Sequence, residues 1–133
     1  MGTSLLLLHG PGPLLRGSNM GLPIIVLNSR VPKLMSFVID VYAITLWPFV
    51  FIRDDGNEIT IRHETIHIKQ YNELFVLGFL AVYLCDWLRG LIKYKDKQKA
   101  YYQIRFEQEA YTNQKDPSYL AGRKHYAWRN YSV

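Results

Sequence analysis

The sequence predicts an α+β fold: a short β-hairpin or small sheet, then a three-helix core carrying a His-Glu-x-x-His helix and a helix with a candidate Glu ligand. Three observations predict it. Between Met20 and Ile52 the chain is apolar, rich in β-branched residues and broken by Pro23, Pro32 and Pro48, a spacing that suits short strands better than an uninterrupted helix. From His63 to about Tyr94 there is no proline and the pattern turns helical. Beyond it, Ala100 to about Lys115 mixes polar and apolar residues at helical spacing and stops at Asp116-Pro117.

Residues 1–19 stand apart from the rest. They hold a four-leucine run, a Gly-Pro-Gly-Pro stretch and Gly17-Ser18 just ahead of Met20, and are expected to be a vector-derived leader or, as the alternative, a native flexible arm, with 20–133 as one minimal domain. A secretory signal needs a basic start and a longer apolar core, whereas this run stops at His9, so no signal peptide is expected. Ala43 to Ile52 reads as a strand, Asp54-Asp55-Gly56-Asn57 as a turn, and Glu58-Ile59-Thr60-Ile61 as the partner strand of a hairpin. Residues 34–52 are long enough to be counted as a membrane span, but Asp40, Pro48 and the β-branched content favour sheet.

Within the helical run, Leu74 to Cys85 is apolar on every side, so it is expected either inside the fold or in lipid. It is too short to span a bilayer, and extension to Ile92 brings in Asp86 and Arg89. An interfacial contact through residues 74–92 is therefore the expected membrane reading, with the protein cytoplasmic or peripheral. Lys93 to Lys99 reads as a charged connector, and the tail around Tyr119, Leu120, Tyr126, Trp128 and Tyr131 as a third helix closing over the core.

At 133 residues and 15.6 kDa the chain encloses one core, hence at most one active site. A hydrophobic share of 49% against 20% charged excludes a disordered protein. Aromatic residues at 14%, ten of them Tyr, suit a large contact surface or a membrane–water boundary. The net charge of +5 attracts anionic partners in general, but Lys93, Lys95, Lys97, Lys99, Arg123, Lys124 and Arg129 form no nucleic-acid module, and no specific nucleic-acid partner is expected. Cys85 is the sole cysteine, which excludes an intramolecular disulfide and a cysteine zinc cluster; it is expected as a small buried hydrophobe.

Any metal must then be held by His and carboxylates, and the residues for it are Arg62-His63-Glu64-Thr65-Ile66-His67. Positions four apart stack on one helix face, so His63 and His67 can bind one ion while Glu64 projects beside them towards a water on the metal. Zinc held by three protein ligands keeps a fourth position open and acidifies its water to a pKa of about 7, within reach of a carboxylate base. The candidate third ligand lies in Arg105-Phe106-Glu107-Gln108-Glu109-Ala110-Tyr111. On a helix Glu107 shares its less polar side with Ala100, Ile104 and Tyr111, while Glu109 is rotated by about half a turn and cannot face the same ion.

His63-Glu64-x-x-His67 together with Glu107-x-Glu109-Ala110 resembles the gluzincin metallopeptidases, in particular the membrane-associated HtpX type, whose second helix carries Glu-x-Glu-Ala-Asp. The resemblance covers about 50 residues and implies His63, His67 and Glu107 as Zn2+ ligands and Glu64 as general base, in a minimal bacterial or phage-type version. The family's Asp is Tyr111 here, so the carboxylate that would orient a zinc-bound His is missing from that place. Tyr111, Arg105, His125 and Glu109 remain candidates for a supporting or transition-state role, with Tyr101 and Tyr102 read mainly as packing residues.

The expected function is a zinc-dependent metallopeptidase that hydrolyses a peptide or protein substrate through Glu64-activated water on zinc. The alternative from another class is a non-catalytic membrane-associated or protein-binding module with a structural or vestigial metal site.

Overall fold

The computed structural model describes residues 57–133 throughout and, upstream, the backbone of four short strands: Leu5–Leu7 (β1), Ile24–Val26 (β2), Ala43–Leu46 (β3) and Phe49–Ile52 (β4). The strands pair in the order β1-β2-β4-β3, β2 with β4 parallel and the others antiparallel. The expected boundary at residues 19–20 and the turn at Asp54-Asp55-Gly56 lie outside the described residues.

The expected α+β core is overturned. Residues 57–133 are 78% helical and contain no strand, so the core and the candidate site are built from helices alone. The expected hairpin fails at its second strand, because Glu58-Ile59-Thr60-Ile61 is the first turn of helix α1 (Glu58–Tyr94). The cause is Asn57, whose side chain accepts a hydrogen bond from the Thr60 amide at 2.9 Å and caps the helix. Glu58 then sits at the positive end of the helix dipole. Alternating polarity across four residues is a weaker determinant than an N-cap followed by the helical pattern that runs unbroken to the residue before Phe75.

α1 is one helix only in its hydrogen-bond string. Phe75 has φ 57 and ψ 172, which breaks the run into a first arm, 58–74, and a second arm, 76–94. In a continuous helix Tyr71 and Phe79 would stand about 12 Å apart along the axis. Their rings instead stack with centroids at 3.7 Å, so the chain doubles back at Phe75.

Helix α2 (Lys97–Tyr102) starts at Asp96, whose carboxylate accepts from the Lys99 amide, and it packs across the second arm. A Cβ on Gly90 would lie 3.0 Å from the Ala100 backbone, and that close approach explains the glycine. The single helix expected from Ala100 to Lys115 is split: Ile104 takes φ −61 and ψ 130, and helix α3 (Arg105–Asn113) begins after it. Asp86 on the second arm causes the restart. Its fully buried carboxylate accepts from the Arg105 amide at 3.3 Å and from the Arg105 guanidinium at 2.7 and 2.9 Å, an anion placed at a helix N-terminus.

The expected third helix of the tail is reduced to one turn, α4 (Tyr119–Gly122), and a 3-10 turn, Ala127–Asn130. What holds the tail is Glu73, at the end of the first arm. It accepts from the Arg123 guanidinium, the Tyr126 amide and the Trp128 indole. Tyr71, Phe79, Tyr101, Ile104, Phe106 and Trp128 form the core, with Phe79 stacked on Phe106 at 4.5 Å and Trp128 edge-on to Phe106 at 5.0 Å. Cys85, expected inside, is exposed.

Candidate metal centre

The first arm carries His63 and His67 on its inward face, and α3 brings Glu107 to meet them. His63 Nε2 lies 3.3 Å from one Glu107 oxygen, His67 Nε2 lies 3.4 Å from the other, and the two Nε2 atoms are 3.1 Å apart. These three side chains form a group that could hold a metal ion, and all three are buried. A tetrahedral ion with bonds of about 2.0–2.1 Å needs ligand atoms roughly 3.3–3.4 Å from one another. The Nε2–Nε2 distance lies close to that requirement, and each imidazole meets it with a different Glu107 oxygen, while one ligand atom from each of the three residues lies within 4.8 Å of the others.

The tautomers sharpen the point. His67 Nδ1 lies 2.7 Å from Gln70 Oε1, an oxygen that can only accept, so the ring proton sits on Nδ1. The orientation of Gln70 is itself set, since its Nε2 donates to Glu109 at 3.0 Å and to the Phe106 carbonyl at 3.2 Å. His63 Nδ1 is likewise 3.0 Å from Gln114 Oε1. With the proton on Nδ1, a neutral imidazole at either position turns its Nε2 lone pair inward, where the two rings and a carboxylate converge. Such an arrangement repels itself unless a cation stands between the groups.

A proton is the smallest cation that can serve. Burial works against a charged His67, but the Glu107 carboxylate outweighs it and carries the His67 pKa up to about 9. Burial likewise opposes ionisation of Glu107, and the two imidazoles overcome it, holding its carboxyl well below the usual range. Tyr83 donates to Glu107 Oε1 at 2.9 Å and Tyr101 to Oε2 at 3.0 Å, which fixes the plane of the carboxylate. Burial, then the Glu107 charge, push both phenols well above their ordinary value, so they remain donors.

Glu64 is buried on the same arm, and its charge acts on His67 and on Tyr83. Glu109 does not face the metal group: it is buried, binds Arg123 and Tyr119, and reaches His67 only through Gln70. Tyr111, standing where the gluzincin pattern has Asp, places its ring edge-on to His63 with centroids at 4.6 Å. Arg105 is engaged by Asp86 and lies over Trp128. His125 has a side chain 90% exposed and lies 3.7 Å from Glu73, away from the group. Glu107 shares its side with Tyr111 on α3, but Ala100 and Ile104 belong to the preceding helix and the break, so the expected common face does not exist.

Gln70, Gln114 and Tyr83 are absent from the sequence-derived candidates. For Gln70 a signal existed: it follows His67 by three positions, which puts both on one helix face. For Tyr83 and Gln114 there was none, because their contacts depend on the reversal at Phe75 and on the end of α3. No family model, no curated protein and no solved structure matches the chain.

Proposed function

We propose that the protein is a zinc-dependent peptidase of gluzincin type, with His63, His67 and Glu107 holding the ion and Glu64 as general base. The observation that carries this reading is the convergence of two Nε2 atoms, 3.1 Å apart, on one buried carboxylate, with one ligand atom from each residue within 4.8 Å of the others. The donor set of two imidazoles and one carboxylate is that of a zinc site open for reaction; a purely structural site is usually closed by four protein ligands. The metal group among the described residues has three members.

Bound there, zinc would act as a Lewis acid that acidifies water and polarises a carbonyl. The chain's own residues do the remaining work. Gln70 and Gln114 hold the two imidazoles in the ligating tautomer. Tyr83 and Tyr101 hold the Glu107 carboxylate in place. Glu64 takes the proton from the attacking water and passes it to the leaving amine, a general acid–base role worth about 10²–10⁴ in rate.

Metal analysis combined with turnover of a peptide library tests this. The wild type should carry about one zinc per chain and His63→Ala should lose it, while Glu64→Gln should keep the zinc and lose at least about 100-fold in hydrolysis. Zinc in the wild type with no turnover of any peptide would leave a structural metal in a binding module. Hydrolysis by Glu64→Gln at the wild-type rate would remove Glu64 from the mechanism.

A further inference from the structure

The second arm of α1 is buried on one face and apolar on the other. Its inward face is Phe79, Tyr83, Asp86 and Gly90, which pack on α2 and α3 or reach Glu107. At about 100° per residue, Leu77, Leu80, Leu84, Leu88 and Ile92 fall on the opposite side. All five are exposed, Leu77 to 82% and Ile92 to 79%. Together with Ala81 and Cys85 they make an uninterrupted apolar surface about 140° wide, running the length of the arm. The outward face of a helix on a globular body is normally polar. By length and composition α1 is apolar enough to cross a membrane, yet only 17% of its apolar stretch is buried inside the protein, unlike the core helix of a soluble protein.

The polar groups are arranged around that face. Arg89 and Lys93 flank one side of the arm, and Lys95, Lys97 and Lys99 follow at its end; all are exposed. At the other end the tail bound to Glu73 brings Lys124 and His125, also exposed, beside the reversal. Asp86, the one acid in the arm, is turned inward and neutralised by Arg105. A long apolar strip with cations at both ends complements a surface of acyl chains beneath anionic headgroups. A second copy of the chain fits less well, because a coiled-coil seam is a narrow a/d stripe, half the width of this face or less. A fully spanning arm is disfavoured by the charges along its middle, the exposed Arg89 and the Asp86–Arg105 pair, which would sit at membrane depth.

We infer that the second arm lies flat in the surface of an anionic membrane, with Leu77, Leu80, Leu84, Leu88 and Ile92 in the acyl region and the lysines at its ends among the headgroups. The surface is independent of the metal group, so the inference stands or falls apart from the peptidase reading.

Cys85, the only cysteine, is exposed at the edge of this face and provides a reporter in the full-length chain. Labelled there with an environment-sensitive fluorophore, the protein should show a blue-shifted, brighter emission with phosphatidylglycerol-containing vesicles and should float with them. Leu84→Glu/Leu88→Glu should weaken flotation by roughly tenfold for each leucine returned to water. The change lies on the exposed face, so zinc content and helicity should be retained. Lys95→Glu/Lys97→Glu should weaken binding to anionic vesicles only, and His63→Ala should float as the wild type does. The inference fails if the wild type stays unbound, whether as a monomer or as a dimer that Leu84→Glu/Leu88→Glu dissolves. It fails equally if that variant floats like the wild type.

Discussion

At the scale of single residues, the site depends on which proton each imidazole carries. The decisive residue is Gln70, which is fully buried and is itself oriented by Glu109. Gln70→Ala should therefore weaken zinc affinity by about 10–100-fold, read by competition with a chelating dye, with little change in fold. Glu109→Gln should produce part of the same loss, because an amide in place of the carboxylate can present a donor to Gln70 and let it turn over. Combined with Gln70→Ala it should add little, since both changes act through the His67 ring. His63 and His67 were readable from the sequence because their spacing of four is a property of any helix. Glu107 was reached by a face argument whose helix does not exist as drawn; what turns it inward is the packing of α3 on the two arms of α1.

At the scale of elements, three junctions decide the shape. Phe75 occupies a backbone region that suits glycine, and its ring is 75% exposed, so little packing is lost with it. Relief of about 1–3 kcal/mol of strain, less about 0.5–1 kcal/mol for the freer unfolded chain, should make Phe75→Gly more stable by about 1 kcal/mol in denaturant unfolding. Gly90→Ala should do the opposite: a Cβ at 3.0 Å from Ala100 forces the helices apart, with a loss of about 1–2 kcal/mol after the better helix propensity of Ala is counted. Arg105→Ala would leave the buried Asp86 carboxylate without its guanidinium. Because Arg105 is itself a quarter exposed, the loss should be about 2–3 kcal/mol, below that of a fully buried pair. None of these junctions carries a proline, and two of them lack glycine, which is why the sequence reads straight through them.

For the whole molecule, the metal group joins the first arm of α1 to α3, so occupancy and stability are linked. Zinc at about 100 times its dissociation constant should raise the unfolding free energy by about 2.7 kcal/mol, and the melting temperature by roughly ten degrees. Chelation should reverse this in the wild type and have no effect on His63→Ala. A wild type that melts at the same temperature with and without zinc would contradict the site. The surrounding body leaves little to spare: one aromatic core and a tail fastened at Glu73 hold 77 residues together, from 57 to 133.

By itself the sequence determined that any metal ligands had to be His and carboxylate, that His63, Glu64 and His67 lie on one helix, and that Leu74 to Cys85 is apolar on every side. These are local properties: composition, and the geometry of one helical turn. The all-helical body of residues 57–133, the reversal at Phe75, the split at Ile104 and the partners Gln70, Gln114 and Tyr83 were decided only in three dimensions. The reason is that each depends on a contact between distant segments. Asp86 receives Arg105 across 19 positions, Gln70 reaches Glu109 across 39, and His63 meets Gln114 across 51. Local pattern carries no record of such pairs, because packing and burial select them after the helices have formed.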